Sequence, residues 1–305
     1  MVREQVDFRP PREGPGLLSG LVKTSRPKQW TKNVLVFVAP GAAGVIGEAV
    51  PLRNTLTALV AFCFAASGTY FLNDAADVES DRRHPKKRFR PVASGIVPVT
   101  TARAVGVTLL ALGLAISFTA RWQLAATVAS YIALTTLYSY VLKHIAVVDI
   151  VAVAGGFVLR AVGGATASNV PISNWFFIVA SFGALFMVAG KRQAEGMQIG
   201  EDAAQLRSTL GEYSEPYLAY LRSVSSSAVL MAYCLWAFEK ANEAAHADPW
   251  YQISIGPFVL GVLRYALLVD KGHGAAPEDV VLGDRTLQVI GLLWVITFGL
   301  GVYLA

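Results

Sequence analysis

LVAFCFAASGTYFLNDAADVESDRRHPKKRFRP, residues 59–91, changes character at Asn73. Leu59 to Leu72 is as apolar as lipid, whereas residues 73–91 hold three aspartates, a glutamate and six Lys/Arg. Extended upstream to residue 54, the apolar half fits a membrane-crossing helix, because a hydrocarbon core of about 30 Å takes roughly 20 residues at 1.5 Å each. A run of charge directly after it marks where that helix leaves the bilayer, and predicts a polar site at the membrane surface.

The rest of the chain agrees. Of its 305 residues, 54% are hydrophobic and only 15% charged, and the mean hydropathy is +0.48. A water-soluble fold of this length needs more polar surface than that, which excludes an ordinary soluble domain and predicts an all-α integral membrane protein. Cys63 and Cys234 both sit in apolar runs without ligand-type neighbours, and read as small apolar residues of spans. The first thirty residues carry Pro and charge where a signal peptide has its apolar core, so none is expected. Residues 1–22 are expected as a flexible cytoplasmic tail and 23–305 as a single catalytic domain.

Nine spans are predicted, at about 33–50, 54–75, 101–119, 123–142, 145–167, 174–190, 214–238, 251–270 and 286–304. Long apolar runs without alternation suit a helical bundle rather than a barrel. With the N-terminus inside, 20 of the 26 Lys/Arg fall on the cytoplasmic face, against Arg53, Arg121 and Lys240 outside. This bias predicts a multi-pass plasma-membrane protein with the C-terminus outside. The net charge of +5 then reflects topology and anionic lipid rather than nucleic acid. Residues 73–91 and 191–213 share the cytoplasmic face, where they cap one cavity.

Asn73, Asp77 and Asp81 recur every four residues, so a helix continuing through them sets three oxygen donors on one ridge. Hard oxygen ligands of this kind suit magnesium completed by substrate phosphates. Arg82, Arg83, Lys86, Lys87, Arg88 and Arg90 follow immediately. Their bland role is to neutralise the acids in a solvated loop, but stacked carboxylates repel, and a divalent cation removes that cost. Acids for metal beside bases for phosphate describe a diphosphate site. Asp74 and Glu79 fall on other faces and rank lower as ligands.

On these residues the chain resembles the UbiA superfamily of intramembrane prenyltransferases: Asn73-Asp74-x-x-Asp77-x-x-x-Asp81 and Arg90-Pro-Val-Ala-Ser-Gly95 match its NDxxDxxxD and RPxxSG signature. The resemblance implies a nine-helix transmembrane bundle with an active-site cap on the cytoplasmic side. It also implies Mg2+ held by Asn73, Asp77 and Asp81, the two aspartates being catalytic. Tyr138, Ser139, Tyr140 and Lys143 resemble the family's Tyr-x-x-x-Lys pattern, and Arg26-Pro-Lys28-Gln-Trp-Thr-Lys32-Asn its amphipathic segment before the first span.

Ordinary members carry a second DxxxD motif after span six, where this sequence has GKRQAEG with Lys191, Arg192 and Glu195. A lysine at the first acidic position reverses the charge and favours an anion without a metal. In this respect the chain resembles the branch that transfers 5-phosphoribose from 5-phosphoribosyl 1-diphosphate to decaprenyl phosphate, for cell-wall arabinan. That resemblance implies Lys28, Lys32, Arg88, Arg90 and Lys143 as phosphate ligands, Lys191 and Arg192 for the ribose 5-phosphate, and Tyr70 and Tyr138 facing the site.

Arg160, within a span, is a candidate for the lipid channel and Asp149 for the polar head of the lipid. Arg222 and Arg264 are expected to pair or snorkel. The four histidines lack metal spacing. Glycine pairs at 155–156 and 163–164 predict close helix packing and leave a homo-oligomer open. The competing enzyme reading is a true prenyltransferase acting on a polyprenyl diphosphate and an aromatic acceptor, which the missing second DxxxD opposes. A transporter is disfavoured because the charges gather at the surface rather than mid-span.

Overall fold

In the computed structural model, the described residues are 16–199, 208–243, 249–272 and 277–304. The expected tail lies mostly outside them. Its last part, however, belongs to a helix, α1 (Leu17–Ser25), with Gly20 against Ile96 and Val97.

After α1 comes a 3-10 helix, Pro27–Phe37, then α2 (Val38–Ala42), α3 (Ala49–Ala76) and α4 (Val78–Arg83). The bundle continues with α5 (Val99–Ala120), α6 (Trp122–Tyr140), α7 (Val148–Ser168), α8 (Asn174–Ile199), α9 (Glu215–Glu243) and α10 (Trp250–Asp270). It closes with α11 (Pro277–Gly283) and α12 (Arg285–Leu304). Helices dominate because lipid leaves no other partner for backbone N–H and C=O groups. Seven of them, α3, α5, α7, α8, α9, α10 and α12, are long and apolar enough to cross a membrane.

Two expected spans depart from that standard. α6 is 19 residues long but mixes Gln, Ser, Thr and Tyr with its apolar residues. The segment expected as span 33–50 is broken among the 3-10 helix, α2 and the short turn Val45–Gly47. Its glycines and proline weaken an α-helix, and a 3-10 helix rises about 2.0 Å per residue, so the same length of chain reaches further. The stretch from Arg26 to Gly44 nevertheless touches both ends of the bundle. Arg26 bonds Asp74 near the end of α3, and a Cβ on Gly44 would meet Val302 near the end of α12.

Successive long helices alternate in direction. The C-terminal ends of α3, α6, α8 and α10 therefore share one end of the bundle with the N-terminal ends of α5, α7, α9 and α12. Small residues set the spacing. A Cβ on Gly68 of α3 would lie 2.8 Å from the carbonyl oxygen of Gly106 in α5, and one on Gly164 of α7 only 1.8 Å from that of Val36. Around these contacts sit Val36, Phe62, Leu124, Val128 and Tyr131, with Phe62 edge-on to Tyr131 at 5.3 Å.

Asp284 precedes α12 and caps it, accepting from the Leu287 N–H at 2.7 Å and pairing with Arg264 of α10 at 2.7 Å. These hydrogen bonds hold its carboxyl below the usual carboxylate range. A carboxyl of depressed pKa contributes stability that is present above the unfolded pKa and lost as pH falls through the folded value. Asp284→Asn should therefore lower the melting temperature in detergent at pH 7, and the gap to wild type should narrow as pH falls below the ordinary carboxylate range.

Gly164→Ala drives a methyl into the Val36 carbonyl and should lower stability by about 1–3 kcal/mol. Gly183→Ala, where the nearest atom is 3.9 Å away, should be neutral. Melting curves by fluorescence-detected size exclusion compare the two.

Candidate active site

α3 carries the acidic motif to the polar end of the bundle. Its last residue is Ala76, and Asp77 (φ −88°, ψ 7°) separates it from α4. The ridge is thus not one unbroken helix, as expected, yet its spacing survives. The Asp77 N–H donates to the Asn73 carbonyl at 2.9 Å and the Asp81 N–H to the Asp77 carbonyl at 2.8 Å, so the three side chains still follow one another a turn apart.

Those side chains differ in setting. Asn73 and Asp77 are half-buried, and their side chains have no hydrogen bond or ion pair among the described residues. Asp81 is buried and pairs with Arg90, Nη1 to Oδ2 at 2.8 Å. Asp74, the residue ranked lower as a ligand, is the hub. Its Oδ1 accepts from Arg26 Nη2 at 2.7 Å and from Arg90 Nη1 at 3.2 Å. The Arg26 guanidinium also lies 4.6 Å from the centroid of Tyr70, a cation–π contact. Sequence reading missed Arg26 as an organiser. The available signal was an arginine directly after a short helix, where it takes a left-handed backbone (φ 53°).

Arg26 stands at the start of the 3-10 helix that carries exposed Lys28 and half-buried Lys32, the latter bonded to Gln29. Arg88 is exposed and stacks over Phe89 at 4.8 Å. Lys143 is half-buried in the turn after α6. Lys28, Arg88, Arg90 and Lys143 lie at the polar end, with Lys32 further along the 3-10 helix and Arg90 already engaged by two carboxylates.

GKRQAEG is not a loop: α8 runs on to Ile199 and carries Lys191 and Arg192 one turn before Glu195. Lys191 is 33% exposed and lies 3.7 Å from Glu195. Arg192, expected to grip a terminal phosphate, is only 2% exposed. It pairs with Glu195 at 2.9 Å and Asp149 at 3.2 Å, and donates to Tyr138 Oη at 3.4 Å. Helix geometry turns this arginine inward, so it organises the site rather than opening onto it.

Asp149, fully buried at the start of α7, is the counterpart of Asp74. Besides Arg192 it accepts from Tyr213 Oη and from Thr209 Oγ1. Tyr213 Oη in turn accepts the N–H of Val147 at 2.5 Å. Burial, reinforced by the Asp149 carboxylate, pushes the Tyr213 phenol above its ordinary pKa. It stays a donor, clamping the segment before α9 onto α7. Val147 is held at φ 68°, a strained position for a β-branched residue.

Arg160 is not part of this group. Buried in α7, it donates to Asn33 Oδ1 at 2.7 Å, the Gly156 carbonyl at 2.7 Å and Tyr131 Oη at 2.8 Å. It ties the 3-10 helix to α6 and α7 about 16 Å from Asp149 along the helix. A lipid-channel role does not follow from this placement.

Among the described residues no three His, Cys, Asp or Glu side chains already converge as a metal-holding group, because Asp74 and Asp81 face arginines. The set does fit magnesium in another way. Two oxygen-bearing side chains without partners among the described residues, beside a third carboxylate, leave room for waters and phosphate oxygens, which magnesium prefers to a closed protein cage.

Asp74→Ala leaves two arginines without their common carboxylate and should cost about 2–4 kcal/mol of stability, together with most activity. Glu79→Ala breaks only the exposed pair with Arg82, and should change the melting temperature by less than the equivalent of about 0.5 kcal/mol.

Comparison with known proteins follows the same lines. The UbiA prenyltransferase family matches residues 34–303. A decaprenyl-phosphate phosphoribosyltransferase of Corynebacterium glutamicum is 45% identical over 302 residues, covering 97% of this chain and 90% of that protein. One of Mycobacterium tuberculosis is 42% identical over 303 residues, 98% of each. Among solved structures, a UbiA homolog from Archaeoglobus fulgidus bound to GPP and Mg2+ superposes with a TM-score of 0.69. At 17% identity, it covers 93% of this chain and 99% of that one, a likeness of fold.

Proposed function

The chain belongs to the UbiA prenyltransferase family, and from that membership we propose that it is a phosphoribosyltransferase. It moves 5-phosphoribose from 5-phosphoribosyl 1-diphosphate to decaprenyl phosphate and releases diphosphate. The observation that carries this reading is 42–45% identity, over nearly the whole chain, to decaprenyl-phosphate phosphoribosyltransferases. The chemistry at α8 supports it, since a lysine and an inward arginine replace the second carboxylate pair that a lipid diphosphate donor calls for.

Asn73, Asp77 and Asp81 would hold magnesium, which when bound supplies positive charge to the diphosphate. Arg90 keeps Asp81 fixed through Nη1 and offers its remaining N–H groups to a phosphate oxygen. Lys28, Lys32, Arg88 and Lys143 surround the leaving group. Lys191 takes the 5-phosphate of the ribose, while Arg192 holds Tyr138 and Asp149 in place around it. Tyr70, under Arg26, fixes the approach of the 3-10 helix.

As the C1–O bond to diphosphate breaks, its electron pair leaves with the diphosphate, and C1 gains oxocarbenium character. An ionised oxygen of the lipid phosphate then bonds C1 from the opposite face, inverting the anomeric centre. That oxygen is already an anion at neutral pH, so no general base is needed. Rate then comes from positioning and from fixed charge in a site of reduced dielectric.

In the membrane, the 3-10 helix with α2 and the eight long helices make nine crossings. The polar end faces the cytoplasm together with the N-terminus, and the C-terminus lies outside, as the 20-to-3 charge bias argues.

The test is transfer by purified protein with magnesium, 5-phosphoribosyl 1-diphosphate and decaprenyl phosphate, followed as lipid-linked phosphoribose. A parallel reaction contains a prenyl diphosphate and an aromatic acid. Asp77→Ala and Asp81→Ala should each lower kcat by about 10²-fold or more. Lys191→Glu should raise the KM for the soluble donor about tenfold while sparing that for the lipid. Turnover in the parallel reaction alone, or full activity in both aspartate variants, would overturn the reading.

A further inference from the structure

Away from the acidic motif, a groove of about 270 Å³ lies between α9 and α10, lined by Arg222, Ser223, Ser226, Leu267 and Asp270, with Phe186 of α8 at its floor. Arg222 is 9% exposed, yet the protein satisfies it poorly. Its Nε has no hydrogen-bond partner among the described residues. Its other contacts are marginal, Nη1 to the Ala266 carbonyl at 3.4 Å and Nη2 to Asp270 at 3.5 Å. Both distances lie at the limit for an N–H donor. A buried guanidinium with an orphan donor is costly unless something else accepts from it.

Position tells what that acceptor is. Arg222 stands seven residues after Glu215, about 10 Å from the polar end of α9, while Asp270 closes α10 there with its side chain 67% exposed. Below the pair, Leu267, Leu263 and Leu260 follow at helical spacing on α10, exposed by 44%, 56% and 56%. In a membrane protein, an exposed leucine stripe faces acyl chains. The groove therefore presents, in order from the surface, a carboxylate, a guanidinium and an apolar track.

We propose that this groove binds one zwitterionic aminophospholipid, with its phosphate on Arg222, its ammonium on Asp270 and an acyl chain along the leucine stripe. A phosphodiester oxygen supplies Nη1 and Nη2 with the close acceptor that their contacts at 3.4 and 3.5 Å do not, in the forked geometry a guanidinium favours. The lipid's opposite charges match the fixed pair. An anionic headgroup without an amine would leave Asp270 repelling it, and the doubly charged phosphate monoester of a polyprenyl lipid more so. Ser223 and Ser226 donate to carbonyls of their own helix, so neither competes for the phosphate. The site is independent of the transferase reading, and turnover is not its readout.

The experiment is native mass spectrometry of delipidated, detergent-purified full-length protein. Phosphatidylethanolamine, phosphatidylglycerol and decaprenyl phosphate are each added alone and in equimolar competition. Wild type should retain one phosphatidylethanolamine about tenfold more tightly than phosphatidylglycerol. Arg222→Gln should abolish that retention, and Asp270→Asn should erase the preference by raising phosphatidylglycerol binding. Ser226→Leu, which fills the groove and leaves the charge pair intact, should also abolish retention, and so tests the site even if Arg222→Gln fails to fold. Equal retention of the two phospholipids by wild type would overturn the proposal. So would phosphatidylethanolamine binding that survives Ser226→Leu, a preference unchanged in Asp270→Asn, or decaprenyl phosphate displacing phosphatidylethanolamine from the groove.

Discussion

Asp74 accepts hydrogen bonds from Arg26, which precedes the first crossing of the bundle, and from Arg90, which lies beyond the acidic motif. One buried carboxylate thus joins three segments that sequence separates by up to 64 residues. Because Arg90 also holds Asp81, the same contact fixes one end of the ridge on which Asn73 and Asp77 are unengaged among the described residues. Charges at the margin of a bilayer are expensive unless paired. That cost makes the network mutually obligatory, and so positions the polar end of α3 against the segment bearing Lys28 and Lys32.

Asp149 does comparable work on the other side. It gathers Arg192, Thr209 and Tyr213 around the start of α7, drawing the end of α8 and the approach to α9 together. Deeper in the bundle, Arg160 reaches Asn33 and Tyr131 through neutral acceptors only. Arg26 on Asp74 and Asn33 on Arg160 thus hold the broken first crossing at two depths.

Much of this was legible beforehand. Apolar runs gave the helical bundle, the break at Asn73 gave the end of α3, and the four-residue spacing gave the ridge. Where reading failed, it failed for want of partners. The span at 33–50 was the weakest of the nine because of its glycines, but nothing local says that Gly164 would bring α7 to within contact of the Val36 carbonyl. Lys191 and Arg192 followed a glycine and looked like a loop, whereas α8 continues because Asp149 and Tyr138 neutralise Arg192 inside the protein. Asp74 was ranked below its neighbours, and Asp149 was read as a contact for the lipid head rather than as a partner of Arg192, because ion pairs across the bundle leave no local pattern.

The sequence by itself therefore determined what depends on neighbours along the chain: which segments are apolar enough for lipid, where charge emerges, and which oxygen donors share a helix face. Only the tertiary structure decided which charges are spent on one another and which stay available. Arg90 and Arg192 look alike in sequence to Arg88 and Lys191, yet the first two are engaged by buried carboxylates and the others are not enclosed. The physical reason is that pairing in a low-dielectric interior is set by distance through space. Helices that alternate in direction bring together residues far apart in the chain.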